Sequence, residues 1–284
     1  MEFIQPQNIK ETLLVLKKWG KKGMLVAGGT NVLPDLRAKS FSPEALIDIS
    51  RLESLSFIKA EKGGIRIGAL TPIAVIAAST ILQKKAPILC EAARHLGNPL
   101  VRNRATLGGN LAKSSPAADT AVPLLAFEAV VAVQGAGARK RRIPLDQFFL
   151  GPNRNALRAG EMIQEVSFPL PSPGSKMAYR KMGLRNAMAI SVVSLGVLLD
   201  MRKGICRRIR IAFGAVAPKP IRIYQAENVL LGKEITPELL QACGTQAEKE
   251  ISPITDIRAG AEYRRAMVSV LLQRVLSEAL GMGT

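Results

Sequence analysis

Histidine and cysteine are almost missing from this chain of 284 residues: His95 stands alone, and Cys90, Cys206 and Cys243 are far apart. No CxxC pair and no closely spaced set of thiolates exists to hold an iron–sulfur centre. A multi-histidine metal centre is excluded as well, so no metal is expected on this chain. The three thiols read as small buried hydrophobes and His95 as structural. Aromatic residues make up only 4% of the chain, too few for a platform on which bases would stack. No apolar run escapes interruption by glycine, proline or charge for long enough to span a bilayer. The amino terminus lacks the basic head and apolar middle of a signal peptide, so a cytoplasmic protein is expected. Acidic residues are scarce too, 22 against 40 lysines and arginines, which leaves a formal charge of +18. That charge raises nucleic-acid binding, but the basic residues are dispersed, with clusters only at 139–142 and 202–210. The first cluster reads as a solvated hairpin tip. Attraction to acidic partner subunits or anionic nucleotides is the better use of the charge, and no nucleic acid is expected.

What is plentiful is glycine at two particular places. Gly28-Gly29-Thr30 follows a short apolar run, and Thr106-Leu-Gly-Gly-Asn110 precedes Pro116-Ala-Ala-Asp119 and a long apolar stretch. Paired glycines let a backbone turn sharply and approach a ligand closely. Amide groups freed there, and at a helix start placed at Pro116, can point at an anion, so the two elements together suggest one diphosphate. Neither fits GxGxxG, and a Rossmann assignment is unsupported.

Along the chain, helical spacing over 12–19 is followed by a short buried strand at 24–27, a helix at 31–37 and a strand at 45–49. That alternation suits a small sheet covered by helices. Residues 57–60 and 64–69 read as a hairpin, and Thr71-Pro72 as the N-cap and first turn of a helix through Ser79. Helices over 87–96 and 116–126 and strands over 129–134 and 163–168 follow. Three prolines, Pro169, Pro171 and Pro173, then mark a linker. Beyond it come β-rich segments at 177–182, 189–201 and 207–215 and helices near 223–231, 237–249 and 261–280. In the last helix Tyr263, Met267, Val270, Leu271 and Val275 form the expected core face.

Five stretches carry a resemblance: Val26-Ala-Gly-Gly-Thr-Asn-Val-Leu-Pro34, Arg104-Ala-Thr-Leu-Gly-Gly-Asn-Leu111, Pro116-Ala-Ala-Asp119, Gly214-Ala-Val-Ala-Pro218, and Ser252-Pro253 through Asp256-Ile-Arg258 to Glu262-Tyr-Arg-Arg265. In this order they resemble the FAD-binding medium subunits of molybdenum hydroxylases, the group of xanthine dehydrogenase and carbon monoxide dehydrogenase. The resemblance implies an α+β fold. An FAD-binding domain of the vanillyl-alcohol-oxidase type covers 1–172, its two α/β subdomains dividing near 52–56. A carboxy-terminal domain like that of the CO dehydrogenase flavoproteins, with an antiparallel sheet and helices, covers 173–284.

It also implies that Leu25, Val26, Ala27, Gly28, Gly29, Thr30, Asn31 and Val32 line the FAD diphosphate together with Thr106, Leu107, Gly108, Gly109 and Asn110. Asp119 matches a residue that binds the ribityl or neighbouring polar part of the cofactor. Leu96 matches an aromatic or apolar position near the flavin and Ile163 an apolar contact. Lys181 matches a lysine that reaches the isoalloxazine region, where its charge would favour the reduced, anionic ring. Thr30 and Asn31 stand where the wider oxidase superfamily often carries a flavin-tethering histidine, so FAD is expected to be noncovalent. The three scattered cysteines argue against the inserted loop that holds an extra four-iron cluster in some members.

The function implied is electron exit. Substrate is hydroxylated at a molybdopterin cofactor on a large partner subunit, electrons pass through [2Fe–2S] clusters on a small one, and FAD on this chain delivers them to an acceptor such as NAD. A heterotrimer or its dimer is expected. The chain offers no nucleophile with a matched base, so no catalytic side chain is assigned and the chemistry belongs to the cofactor. Two other readings are a non-catalytic interaction subunit of the same fold and a stand-alone flavin oxidoreductase.

Overall fold

A computed structural model describes residues 1–282. The first unit contains β1 (Glu2–Ile4), α1 (Ile9–Trp19), β2 (Gly23–Val26), α2 (Val32–Arg37) and β3 (Ala45–Asp48). Its three strands are parallel in the order β1-β3-β2. Asn8 caps α1 by accepting from the Glu11 amide at 2.9 Å, and Leu13 and Leu16 then face Ile47 of β3. Helix α1 begins earlier than residue 12 because that cap lies at residue 8.

The second unit begins with β4 (Ile58–Glu61) and β5 (Gly64–Gly68). Six short helices follow: α3 (Ile73–Ala78), α4 (Thr80–Lys85), α5 (Pro87–His95), α6 (Pro99–Arg104), α7 (Leu107–Lys113) and α8 (Ala121–Ala126). Strands β6 (Val130–Gly135) and β7 (Arg141–Pro144), the turn α9 (Leu145–Phe148), the ribbon β8 (Phe149–Gly151) and β9 (Arg154–Asn155), and β10 (Glu161–Phe168) complete it. The antiparallel order β4-β5-β10-β6-β7 puts the last strand in the middle, where its register slips between Ile163 and Glu165.

Two expectations change here. Thr71 does not cap α3: its hydroxyl donates to Phe57 O at 3.0 Å and accepts from Phe57 N at 3.1 Å, and the helix is broken at Ser79, which caps α4 instead. Arg141 is no solvated tip residue, because it lies in β7 and binds the Glu161 carboxylate at 2.7 Å.

The third unit is the antiparallel sheet β11 (Lys176–Met182), β12 (Val193–Arg202), β13 (Ile205–Gly214) and β14 (Ile221–Arg222), with α10 (Tyr224–Leu230), α11 (Pro237–Glu250) and α12 (Ala261–Leu280). Strand alternation divides its two faces. Leu195, Val197, Leu199, Ile209, Ile211 and Phe213 face the helices, in one core with Val268, Leu272 and Leu276. Gly196 and Gly214 turn the other way, onto Val122 and Pro123 of α8. Tyr179, Leu198 and Ala212 on that face join the main core of the second unit.

The buried face of α12 is rotated from the expected one: Arg264, Val268, Leu272, Val275 and Leu276 are buried, and Tyr263 is exposed. The cause is Arg264. Its guanidinium donates to Val192 O, Ala215 O and Asp256 Oδ1 at 3.1, 2.7 and 2.7 Å, so a charged residue heads the stripe that an apolar pattern would exclude.

Candidate functional site

The first glycine element leaves the end of β2. Leu25 and Val26 are half-buried, not buried as the apolar run suggested, because β2 is the edge strand of its sheet. Ala27, Gly28, Gly29 and Thr30 are likewise half-exposed, Asn31 is exposed, and Val32 opens α2. Gly29 takes φ +73°, a left-handed conformation that glycine adopts without strain. Gly28 is required for another reason: a Cβ there would overlap the Arg104 carbonyl at the end of α6. The first turn therefore lies directly against the chain that leads into the second motif. Lys113 of α7 and Asp35 of α2 reinforce the contact with an ion pair at 2.7 Å. Among the described residues the amides of Gly28, Gly29, Thr30 and Asn31 donate to no protein acceptor, so they form a small cradle of free N–H groups.

The second motif is not a loop. Thr106 is the N-cap of α7, its hydroxyl accepting from Gly109 N at 3.1 Å. Leu107 N donates to Thr71 O and Gly108 N to Ala69 O, at 3.1 and 2.8 Å, and Asn110 N closes the first helical turn onto Thr106 O. The expectation of freed amides at both motifs thus holds only at the first. Gly108 is needed for packing, since a Cβ there would lie 2.8 Å from Ala69 Cβ. A Cβ at Gly109 would meet only the Thr106 hydroxyl, so the helix presents a bare backbone patch there. Leu107 is wholly buried, and the Asn110 side chain accepts from Thr120 Oγ1 at 2.6 Å. Asn98-Pro99 and Thr106 are the cap signals that would have located α6 and α7.

Asp119 lies in a turn over 116–120, not within a helix begun at Pro116, since α8 starts at Ala121. The turn is pinned by Ala215 N, which donates to Pro116 O at 2.8 Å. Asp119 is buried at 6% exposure, and Oδ1 accepts from Tyr179 Oη at 3.2 Å and Ser191 Oγ at 3.0 Å. Lys181 Nζ donates to Oδ2 at 2.8 Å and to His95 O at 3.0 Å, with the lysine side chain 6% exposed. Tyr179 and Lys181 share one face of β11, which is why both reach the same carboxylate. Burial pushes the Asp119 carboxyl up from its ordinary value, against the pull of Lys181, Ser191 and Tyr179. The Tyr179 phenol is pushed well up by burial and by Asp119. Lys181 is thus bound to a buried carboxyl, a partner that the sequence reading did not give it.

Leu96 follows His95, whose carbonyl holds Lys181, and it belongs to the main core. Ile163 is a core residue of β10 opposite Val133, in the same apolar core as Leu96 and Leu107. The structure therefore joins 27–31 to 104–110, and 95–96 to 119 and 181. Tyr179 and Ser191 escaped the sequence reading, because they meet Asp119 only through long-range folding, and Arg104, which opens the second motif, was not singled out because it acts through its carbonyl.

A cradle of free amides, a glycine backed by a carbonyl and a second backbone patch fit a flavin dinucleotide, which needs close backbone approach along its diphosphate. No cluster of metal-ligating side chains occurs among the described residues. The three thiols are buried and free, and burial pushes Cys90 up to about 11, so they are inert.

This arrangement defines a flavoprotein of two successive parts. The family model described as the FAD binding domain in molybdopterin dehydrogenase matches residues 1–171, and that of the CO dehydrogenase flavoprotein C-terminal domain matches 164–279. The chain is 34% identical over 280 residues to the carbon monoxide dehydrogenase medium chain of Hydrogenophaga pseudoflava, covering 98% of this chain and 96% of that one. It is 32% identical over 259 residues to the xanthine dehydrogenase FAD-binding subunit of Escherichia coli O157:H7, covering 90% and 88%. A solved structure of the H. pseudoflava carbon monoxide dehydrogenase, lacking the Mo-pyranopterin moiety, superposes with a TM-score of 0.95 at 33% identity, covering 100% and 98%. The chain belongs to the family of FAD-binding medium subunits of molybdenum hydroxylases. No described helix is long and apolar enough to cross a membrane.

Proposed function

We propose that this chain is the electron-exit subunit of a molybdenum hydroxylase. It acts in the cytoplasm in a heterotrimer, or its dimer, with a large molybdopterin-binding subunit and a small [2Fe–2S] subunit. FAD, held noncovalently, supplies the conversion between single-electron input from the clusters and paired output to an acceptor such as NAD. The protein's part is to bind, orient and seal.

The amides of Gly28 to Asn31 hold the diphosphate, Gly28 and Gly108 allow the chain to close around it, and Thr106, Gly109 and Asn110 line its other side. Leu25, Val26, Ala27 and Val32 flank the cradle. The paired Asp119 and Lys181 offer a fixed dipole to the polar middle and ring of the cofactor, with Leu96 and Ile163 as apolar contacts. Because the Lys181 charge is balanced by Asp119, the pair acts through orientation more than through net charge. The observation that carries this reading is the backbone contact of Gly28 with Arg104 beside a set of unpartnered amides.

The relatives include enzymes of carbon monoxide and of xanthine, so a xanthine-dehydrogenase-like activity is one member of a wider set. The hydroxylated substrate is chosen on another chain. The experiment is anaerobic reoxidation of the chemically reduced complex. Flavin absorbance returning on addition of NAD⁺ supports the acceptor, and return only with quinone, ferredoxin or dioxygen overturns it.

A further inference from the structure

The helix that follows the first glycine motif has little to hold it. No residue of α2 is buried, so packing in a core does not fix its position. Among the described residues, the span 27–37 makes one hydrogen-bonded or ionic contact with the second unit, from Lys113 Nζ to Asp35 Oδ2 at 2.7 Å. Both side chains are 31% exposed. Lys113 stands on a fixed base. It ends α7, and its two chain neighbours are pinned to the β8–β9 ribbon: Asn155 Nδ2 donates to Ala112 O at 2.8 Å and to Ser114 Oγ at 3.2 Å, and Asn153 N donates to Ser114 O at 3.1 Å. On the other side, Leu33 N donates to Gly29 O and Asp35 N to Asn31 O, both at 3.0 Å. The chain from Gly29 to Asp35 is therefore one hydrogen-bonded piece, and the ion pair is where the second unit grips it.

We propose that Lys113 and Asp35 are a positioning pair, holding the free amides of Gly28 to Asn31 in place against the second glycine motif before FAD arrives. The inference rests on the reading of this chain as an FAD carrier and deepens it. The steric contact of Gly28 with Arg104 O limits how closely the two motifs approach, but it cannot draw them together. The ion pair supplies that attraction. It acts through the amides, not by touching the cofactor, and reduces the ordering that binding must otherwise impose.

The test titrates the deflavinated full-length chain with FAD, comparing wild type with Lys113→Met, Asp35→Asn, the double variant and Lys113→Arg, alongside melting of each without ligand. Each of the first two substitutions is expected to raise the FAD dissociation constant about fivefold, the upper range for an ion pair of this exposure. The double variant is expected to match the singles instead of multiplying them, because all three lack the same interaction. Lys113→Arg keeps a cation opposite Asp35 and is expected to stay within about twofold of wild type. Ligand-free melting temperatures are expected to stay within about 4 °C of one another. Should Lys113→Met prevent folding, Lys113→Gln carries the same expectation. Folded single variants with wild-type affinity overturn the inference and leave the FAD-carrier reading standing. A double variant whose effect is the product of the two overturns it as well, and so does an arginine variant as weak as the methionine one. A wild-type chain that takes up no FAD overturns the parent reading, and this one with it.

Discussion

At the scale of single residues, the site depends on backbone proximity and on one buried ion pair. Gly28→Ala places a methyl group on the Arg104 carbonyl, and neither backbone can yield without moving α6. The expected outcome is a loss of about 2 kcal/mol in unfolding free energy together with weaker FAD uptake, read by melting and by flavin titration. Lys181→Met leaves Asp119 buried beside two hydroxyls with no cation, and is expected to destabilise by about 3–5 kcal/mol at neutral pH. The pH dependence follows from the direction of the Asp119 shift. A carboxyl raised in the folded state contributes stability below its ordinary value of 3.8, and that contribution is lost as pH rises through the folded value. Without the Lys181 cation that pulls it down, the carboxyl is raised further in the variant, which gains more from protonation than wild type does; its deficit is therefore expected to shrink on acidification, which melting temperatures at pH 5 and pH 7.5 would check. A deficit that grows towards acid would contradict the assignment. The sequence singled out both glycine motifs, Asp119 and Lys181 through the resemblance, and the structure sets Gly28 against Arg104 and pairs Lys181 with Asp119. The partners Tyr179, Ser191 and Arg104 were not singled out, because a tyrosine on a strand, a serine in a loop and a backbone carbonyl carry no local signature of what they will meet.

At the scale of elements, α8 shows how the third unit is fastened to the second, and α12 how the third unit is held together. Gly196 and Gly214 leave room for Val122 and Pro123, and a Cβ at Gly214 would lie 2.5 Å from Ser194 Oγ and 2.9 Å from Val122 Cγ2. Arg264 on α12 ties together Val192, just before β12, and Ala215, just after β13. Arg264→Met is expected to lower stability by about 3 kcal/mol, since two buried carbonyls and Asp256 lose their donor; denaturant melts would show it. Substitution without loss would mean that packing alone holds the helix. The same arginine explains why the face of α12 was misread: hydrophobic periodicity counts apolar residues, and a buried guanidinium is invisible to it. The long strands β10, β12 and β13 were legible from alternation and β-branched content. The short helices α6 and α7 were not, since six or seven residues with paired glycines give too little periodicity to outweigh a turn.

At the scale of the whole molecule, charge is the dominant feature. The formal charge of +18 is spread over the surface, and part of it is used internally, Arg210 and Arg222 both holding Glu128 at 2.8 Å and joining the third unit to the turn before β6. Burial alone would raise the carboxyl of Glu161, but Arg141, the Arg158 amide and their charges hold it below its ordinary 4.5. Asp48, Glu128 and Asp256 are held down in the same sense. A depressed carboxyl contributes stability above its ordinary value and loses it as pH falls through the folded one, so the protein is expected to weaken steeply below about pH 4.5. Glu161→Gln is expected to be less stable than wild type at pH 7 and to converge with it in acid, as melting temperatures across that range would reveal. Parallel curves would contradict the attribution. The remaining positive surface suits acidic partner subunits, in keeping with a chain whose chemistry is completed by others.

The most direct test of that account is an absorbance spectrum of the chain purified from its native host, taken before and after denaturation, with an inventory of whatever accompanies it. The account predicts flavin bands whose chromophore is released on denaturation, together with a large molybdopterin-containing subunit and a small iron–sulfur subunit. A colourless chain that takes up no FAD and recruits neither subunit would contradict it.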